Sequence, residues 1–232
     1  MRRSLVLFLV ILFVQFGFGQ QEQLKPFNTI NAFGPFQIEL IPSDHEALEM
    51  ESHNIASEDL EVEVRRGELK LKIKSRHYLT DWDSDKWKKP QYVKTRIYFK
   101  QLDELQASAG AIVKCNETLR TRKFLVTGSM GAEINLQLVA ETVYAKSNMG
   151  ATVNLKGRTT FLEVKAGMGG VLKASQLESK SAYVSASMGS EVSIYASEEI
   201  DIAANFGADV KYSGDPIVRH TNRKMGADIS KR

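Results

Sequence analysis

A single cysteine, Cys115, rules out an intrachain disulfide framework, so packing and backbone hydrogen bonds must hold the fold. Charge of one sign is equally scarce. The 31 basic and 28 acidic residues leave +3, and setting aside Arg2 and Arg3 leaves 29 against 28, or +1. That balance argues against an electrostatic nucleic-acid binder, which needs a basic stripe. The longest apolar run, Leu5 to Phe18, has 14 residues interrupted by Gln15 and Gly17. A spanning helix needs about 20. No stretch after it carries a sustained helical period. Histidines 45, 53, 77 and 220 lack metal-ligand spacing.

What is present begins with a leader. Arg2 and Arg3 form a basic start, the apolar run follows, and Gly17 and Gly19 lead into polar Gln20-Gln21-Glu22. This pattern predicts an export signal over residues 1–19 and a mature chain over 20–232. No Cys follows the apolar run, which argues against a lipoprotein anchor. The expected location is the periplasm, the outer-membrane surface or the extracellular space.

The strongest signal is a repeat. A Gly-(Ala/Gly/Ser) pair occurs at Gly110, Gly131, Gly150, Gly169, Gly189, Gly207 and Gly226, with steps of 21, 19, 19, 20, 18 and 19 residues. Met130, Met149, Met168, Met188, Phe206 and Met225 precede six of the seven. After each pair, apolar residues alternate with polar ones. Val113, Ile134, Val153, Leu172, Val192, Val210 and Ile229 start the apolar set, with Lys114, Asn135, Asn154, Lys173, Ser193, Lys211 and Ser230 between. Before each pair a second alternating strand runs through Phe124/Val126, Val143/Ala145, Leu162/Val164, Ala182/Val184 and Ile200/Ile202. Period two marks β-strands, and recurrence near 20 residues marks a solenoid. The expected fold is all-β, a single-stranded parallel β-helix with about 19–20 residues per coil, each strand pairing with its equivalent about 4.8 Å along the axis. Extending the alternation through the corners places the methionines inward, as one more core ladder.

Residues 24–108 are less regular but alternate in the same way, at Phe36/Ile38/Leu40, Leu60/Val62/Val64, Leu69/Leu71/Ile73 and Val93/Thr95/Ile97/Phe99. They read as earlier, looser coils of one domain, interrupted by a loop at 75–92, ahead of regular coils over 109–232. Arg65-Arg66-Gly67-Glu68 predicts a hairpin-like turn. Arg219, Arg223, Lys231 and Arg232 put charge on ladder positions, as a solenoid does to blunt its last edge.

These residues resemble the bacterial head GIN domain family of auto-transporter adhesins. The shared plan is Phe27-x-x-Ile30…Gly34-x-Phe36-x-Ile38-x-Leu40, then Leu60-x-Val62-x-Val64…Gly67-x-Leu69-x-Leu71-x-Ile73. A ladder of small-residue corners follows, closing near Tyr212-x-Gly214-x-Pro216. The resemblance covers essentially the whole mature chain. It implies a right-handed β-helix in an exported envelope protein and supplies no catalytic site. The corner position usually held by Ser in the family is Met or Phe here.

Candidate sites are few. Asp81-Trp82-Asp83-Ser84-Asp85 matches half a calcium loop, but Lys86 and Tyr92 stand where Gly and the bidentate Glu belong. The same loop holds Tyr78, Trp82, Trp87 and Tyr92, including both tryptophans, among Arg76, Lys86 and Lys88. Exposed rings in polar company suit stacking on a sugar or anchoring a protein, so these four are the expected ligand-binding residues. The opposing expectation is that they fold back as a lid. Glu133, Glu191, Asp209 and Asp228 point outward, but Thr152 and Val171 interrupt their column, so they read as a solvated face. Cys115 falls in an inward column and reads as an inert buried thiol. A soft-metal role for the methionines is set aside because they are placed in the core and Phe206 breaks the series. No metal, cofactor or catalytic residue is expected. The expected function is a non-catalytic, adhesin-like envelope module recognising polysaccharide or another surface protein. The rivals are a β-helix polysaccharide lyase or hydrolase and a purely structural envelope protein.

Overall fold

The computed structural model describes residues 22–74 and 90–232. The leader and most of the aromatic loop, including Tyr78, Trp82, Trp87 and the Asp81–Asp85 run, lie outside the described residues.

Strand-favouring alternation runs almost unbroken through the repeats, and the chain follows it. β9 (Ile112–Gly128), β10 (Glu133–Asn148), β11 (Thr152–Gly167), β12 (Val171–Ala186) and β13 (Glu191–Ala204) each make most of one coil. Instead of two separate strands per coil, each is one long strand bent around the core. The sides are marked by breaks in burial parity, as between buried Ala140 and Val143. Successive coils pair in parallel and in register, for example Ile134 with Val153 and Val143 with Leu162. A final coil is made by β14 (Asp209–Ser213) and β15 (Ile217–Arg223), with β16 (Asp228–Lys231) beyond. The result is a parallel β-solenoid of about 7 turns with about 19 residues per turn. Val113, Ile134, Val153, Leu172, Val192 and Val210 fill one buried column, and Val126, Ala145, Val164, Val184 and Ile202 another. Burying each larger member contributes about 1.5–3 kcal/mol.

The early coils are not stacked in chain order. β2 (Thr29–Phe33) lies between β6 (Glu68–Ile73) and β8 (Glu104–Ser108). β3 (Phe36–Pro42) lies between β7 (Tyr92–Phe99) and β9. The second pass of the chain therefore sits outside the first. Antiparallel strands close that end. β4 (Ala47–His53) pairs with β7, and β5 (Leu60–Arg65) pairs with β6. The two-residue β1 (Glu22–Gln23) adds to β4. The β5–β6 hairpin turns at Arg66 and Gly67, both at positive φ, where the sequence predicts a turn. At the opposite end every residue of β15 is exposed, and Arg219 pairs with Glu199, Arg223 with Asp228 and Lys231 with Asp215.

The corners correct the expected methionine core. Met130, Met149, Met168, Met188, Phe206 and Met225 are 45–68% exposed and all point outward. The cause is the turn. Ser129-Met130-Gly131-Ala132 has φ of 48° at Met130 and 71° at Gly131, and the Ala132 amide donates to the Ser129 carbonyl at 3.1 Å. Two consecutive positive φ values with that hydrogen bond define a type I′ turn. It breaks the period of two: Gly128 and Ala132 face in while residue 130 does not. The inward corner column is Ala111, Ala132, Ala151, Gly170, Ser190, Ala208 and Ala227.

Glycines serve two different purposes here. At Gly150 an added Cβ would meet nothing within 4 Å, so only its φ of 69° resists substitution. At Gly157, φ is 114° and a Cβ would lie 2.0 Å from the Leu138 carbonyl oxygen one coil away. Gly157→Ala is expected to destabilise the chain by about 3 kcal/mol, against about 1 kcal/mol for Gly150→Ala. Urea unfolding followed by circular dichroism checks the ranking; equal costs would mean the coils do not approach as described.

Candidate functional site

Parallel, in-register stacking turns every outward position into a column, so the surface is read column by column. On the long side before each corner, one column runs Leu125, Tyr144, Glu163, Tyr183, Asp201 and His220. Next to it runs Lys123, Thr142, Phe161, Ser181 and Glu199. The third is Thr127, Lys146, Lys165, Ser185 and Ala203. Tyr144 and Tyr183 are thus two rungs apart, about 10 Å, with Glu163 between them. Tyr183 is 39% exposed. The Lys123 ammonium sits 4.9 Å from the Tyr144 ring centroid, a diagonal cross-strand contact. Glu163 binds Lys165 at 2.7 Å, and that contact holds the Lys165 ammonium above its ordinary pKa. Half-buried Tyr144 and exposed Tyr183, set between charged hydrogen-bonding groups, form an open platform able to stack on a planar or sugar face.

After each corner the outward face is different. Glu49, Arg96, Glu39 and Lys114 stand in one cross-strand row, which continues through Asn135, Asn154 and Lys173. Arg96 lies 3.6 Å from both Glu39 and Glu49, and Lys114 lies 3.6 Å from Glu39. Asn116 Nδ2 donates to Glu39 at 3.0 Å, and Tyr98 Oη donates to Glu49 at 3.1 Å. Burial first, then that bond to Glu49, raises the Tyr98 pKa. A groove of about 430 Å3 opens over this row, with Ile38, Met50 and Ile112 in its lining. Within the row, Arg96 and Lys114 already pair with Glu39 and Glu49. Farther along, Asn154 donates to Asn135 at 2.7 Å and Asn135 to Glu133 at 2.9 Å.

The sequence-predicted residues distribute unevenly over this surface. Tyr92 opens β7 half-buried, its ring stacked on His53 with centroids 4.5 Å apart and planes 25° from parallel. Tyr78, Trp82 and Trp87 lie outside the described residues, so the aromatic loop is represented by its last member. Glu191, Asp209 and Asp228 stack on successive rungs of one column, with Thr152 and Val171 separating them from Glu133; Asp209 pairs with Lys211 and Asp228 with Arg223. Among the described residues, no group of three or more His, Cys, Asp and Glu is arranged to hold a metal ion. The Tyr144–Tyr183 column escaped sequence reading, which aligned the inward positions. Its signal was available in the residues alternating with Val143, Leu162 and Ala182.

Cys115 occupies the inward column as expected, 7% exposed, with its thiol donating to the Glu117 carbonyl at 3.3 Å. Burial pushes its pKa up, which suppresses the reactive thiolate. Ellman's reagent at pH 8 is expected to label the native chain about 100-fold more slowly than the urea-unfolded chain. A comparable rate in both states would place the thiol outside the core.

The model of the family described as "Putative auto-transporter adhesin, head GIN domain" matches residues 26–216. A crystal structure described as a putative adhesin from Bacteroides fragilis superposes with a TM-score of 0.80 at 19% identity, over 92% of this chain and 95% of that one. One described as a putative lipid binding protein from Parabacteroides distasonis gives 0.67 at 17% identity, over 93% and 97%. A third, described as a putative adhesin from Parabacteroides distasonis, gives 0.70 at 13% identity, over 92% and 95%. No curated protein shows significant sequence similarity to the chain. The structural likenesses establish a shared fold, and the match over 26–216 carries the assignment: this chain belongs to the head GIN domain family.

Proposed function

We propose that the chain is an exported, non-catalytic, adhesin-like module of the cell envelope that binds an extended polysaccharide along its outer strand face. The observation that carries this reading is the Tyr144–Glu163–Tyr183 column, with Phe161 one column over. Two rings about 10 Å apart on a rigid sheet match alternate sugar units of an extended β-linked chain, each ring taking an apolar sugar face. Glu163, Lys165 and Lys123 supply hydrogen bonds and charge between and beside the rings. The platform is preformed by backbone pairing, so little ordering entropy is lost on binding. Tyr78, Trp82, Trp87 and Tyr92 are a second contact in this reading, on the stretch of sequence between β6 and β7. Export follows from the leader read in the sequence. No helix among the described residues is long and apolar enough to cross a membrane.

A glycan array probed with the mature chain tests this. Binding to β-linked glycans is expected, with Tyr144→Ala/Tyr183→Ala weakening it about 10- to 100-fold and Trp82→Ala/Trp87→Ala weakening it less. Equal binding by the tyrosine variant would remove the platform from the account. Shortened glycans in mass spectra after incubation would replace it with an enzyme.

A further inference from the structure

The outward turn of the corners removes one ground for dismissing the methionines as metal ligands, their placement in the core, and Phe206 interrupts the series only after four successive methionines. Met130, Met149, Met168 and Met188 occupy the same turn position in four successive coils, with φ between 48° and 53°. The turns are stacked by hydrogen bonds from the Gly131, Gly150 and Gly169 amides to the carbonyls of Met149, Met168 and Met188, at 3.0–3.2 Å. Four thioethers therefore leave equivalent backbone positions in the same direction, one rung of about 4.8 Å apart. Each is 45–56% exposed.

Packing does not account for this row. It contributes nothing to the core, and left-handed backbone costs a non-glycine residue about 1–2 kcal/mol. Nor is it a broad apolar patch. On one side stand Ser129, Asn148, Gly167 and Ser187, and on the other Glu133, Thr152, Val171 and Glu191. A strip one side chain wide buries little against a protein partner. Leucine would serve apolar contact equally well, yet never occurs at these corners. What the four residues share beyond apolarity is sulfur.

We infer that the corner row is a binding site for a soft monovalent metal ion, Cu(I) or Ag(I), held by thioethers of neighbouring coils. Thioethers select such ions over Zn(II), Mg(II) and Ca(II). With metal–sulfur bonds of about 2.3 Å, an ion shared by two or three sulfurs needs them roughly 4–4.6 Å apart. The rung spacing comes close to that without any backbone movement, and the three rotatable bonds of Met close the difference. Met149 and Met168 are central, since each has a methionine on both sides. Glu133 and Glu191, beside the two ends of the run, place negative charge near a cation that neutral thioethers leave uncompensated. Phe206 ends the run and isolates Met225.

The test presents Cu(I), kept reduced with ascorbate under nitrogen, to the mature chain in competition with bicinchoninate; calorimetry with Ag(I) supplies a redox-inert second probe. The wild-type chain is expected to withdraw Cu(I) from the chelator. Met149→Leu/Met168→Leu keeps the row apolar and is expected to weaken binding about tenfold or more, while Met225→Leu leaves it unchanged. Circular dichroism melting confirms that the variants fold. Failure of the wild type to compete, or equal affinity in the double variant, would overturn the site. So would an equal loss in Met225→Leu. The tyrosine platform is untouched by these substitutions, so the glycan result stands or falls separately.

Discussion

At each corner of the regular coils the amide of the turn glycine donates to the carbonyl of the corner residue one coil on. Gly110 bonds to Met130, Gly131 to Met149, and so on through Gly207 to Met225, at 3.0–3.2 Å. A corner is where a solenoid most easily loses backbone pairing, because the chain must reverse direction inside a few residues. A type I′ turn reverses it and leaves the glycine amide aimed along the axis, so the corners stack like the strands. Identical corners hold successive coils in register, and register makes columns. The inner corner column is alanine or smaller in six of the coils because a tight turn leaves no room for more.

The same constraint organises the exterior. A side chain's neighbours are set by its place in the repeat, so a substitution recurring every 19 or so residues writes one chemistry along a line. The thioether row, the tyrosine column and the Asn135–Asn154 ladder are three such lines on one scaffold. Within the row before β10, cations and carboxylates alternate and neutralise one another across strands, from Glu49 through Arg96 and Glu39 to Lys114. Surface pairs of this kind contribute about 0–1 kcal/mol each, so they set solubility and charge more than stability.

Much of this architecture is legible in the chain. The spacing of Gly110 through Gly226 and the alternation on both sides name a parallel solenoid, and Val113, Ile134 and Val126 fall in the core where parity puts them. The Arg65–Glu68 turn is equally plain, since Gly67 between two alternating runs has few other uses. Parity fails where the backbone stops being a strand: a type I′ turn rotates the residue at 130 outward, while counting by two sends it inward. Chain order fails at the first coils, because pairing partners there are chosen by long-range fit, and β2–β3 lies inside the later β6–β7 pass. The tyrosine platform needs the columns themselves, for Tyr144 and Tyr183 are 39 positions apart in sequence and two rungs apart in space.

The outward corner is the claim on which the columns, the platform and the thioether row all rest. Methyl-labelled methionine spectra of the mature chain, recorded with a soluble paramagnetic agent, address it most directly. Strong broadening of the methyls of Met130, Met149, Met168, Met188 and Met225, with half-buried Met50 broadened less, is the predicted result. Sharp, protected signals from the corner methyls would contradict it and return the sulfurs to the interior.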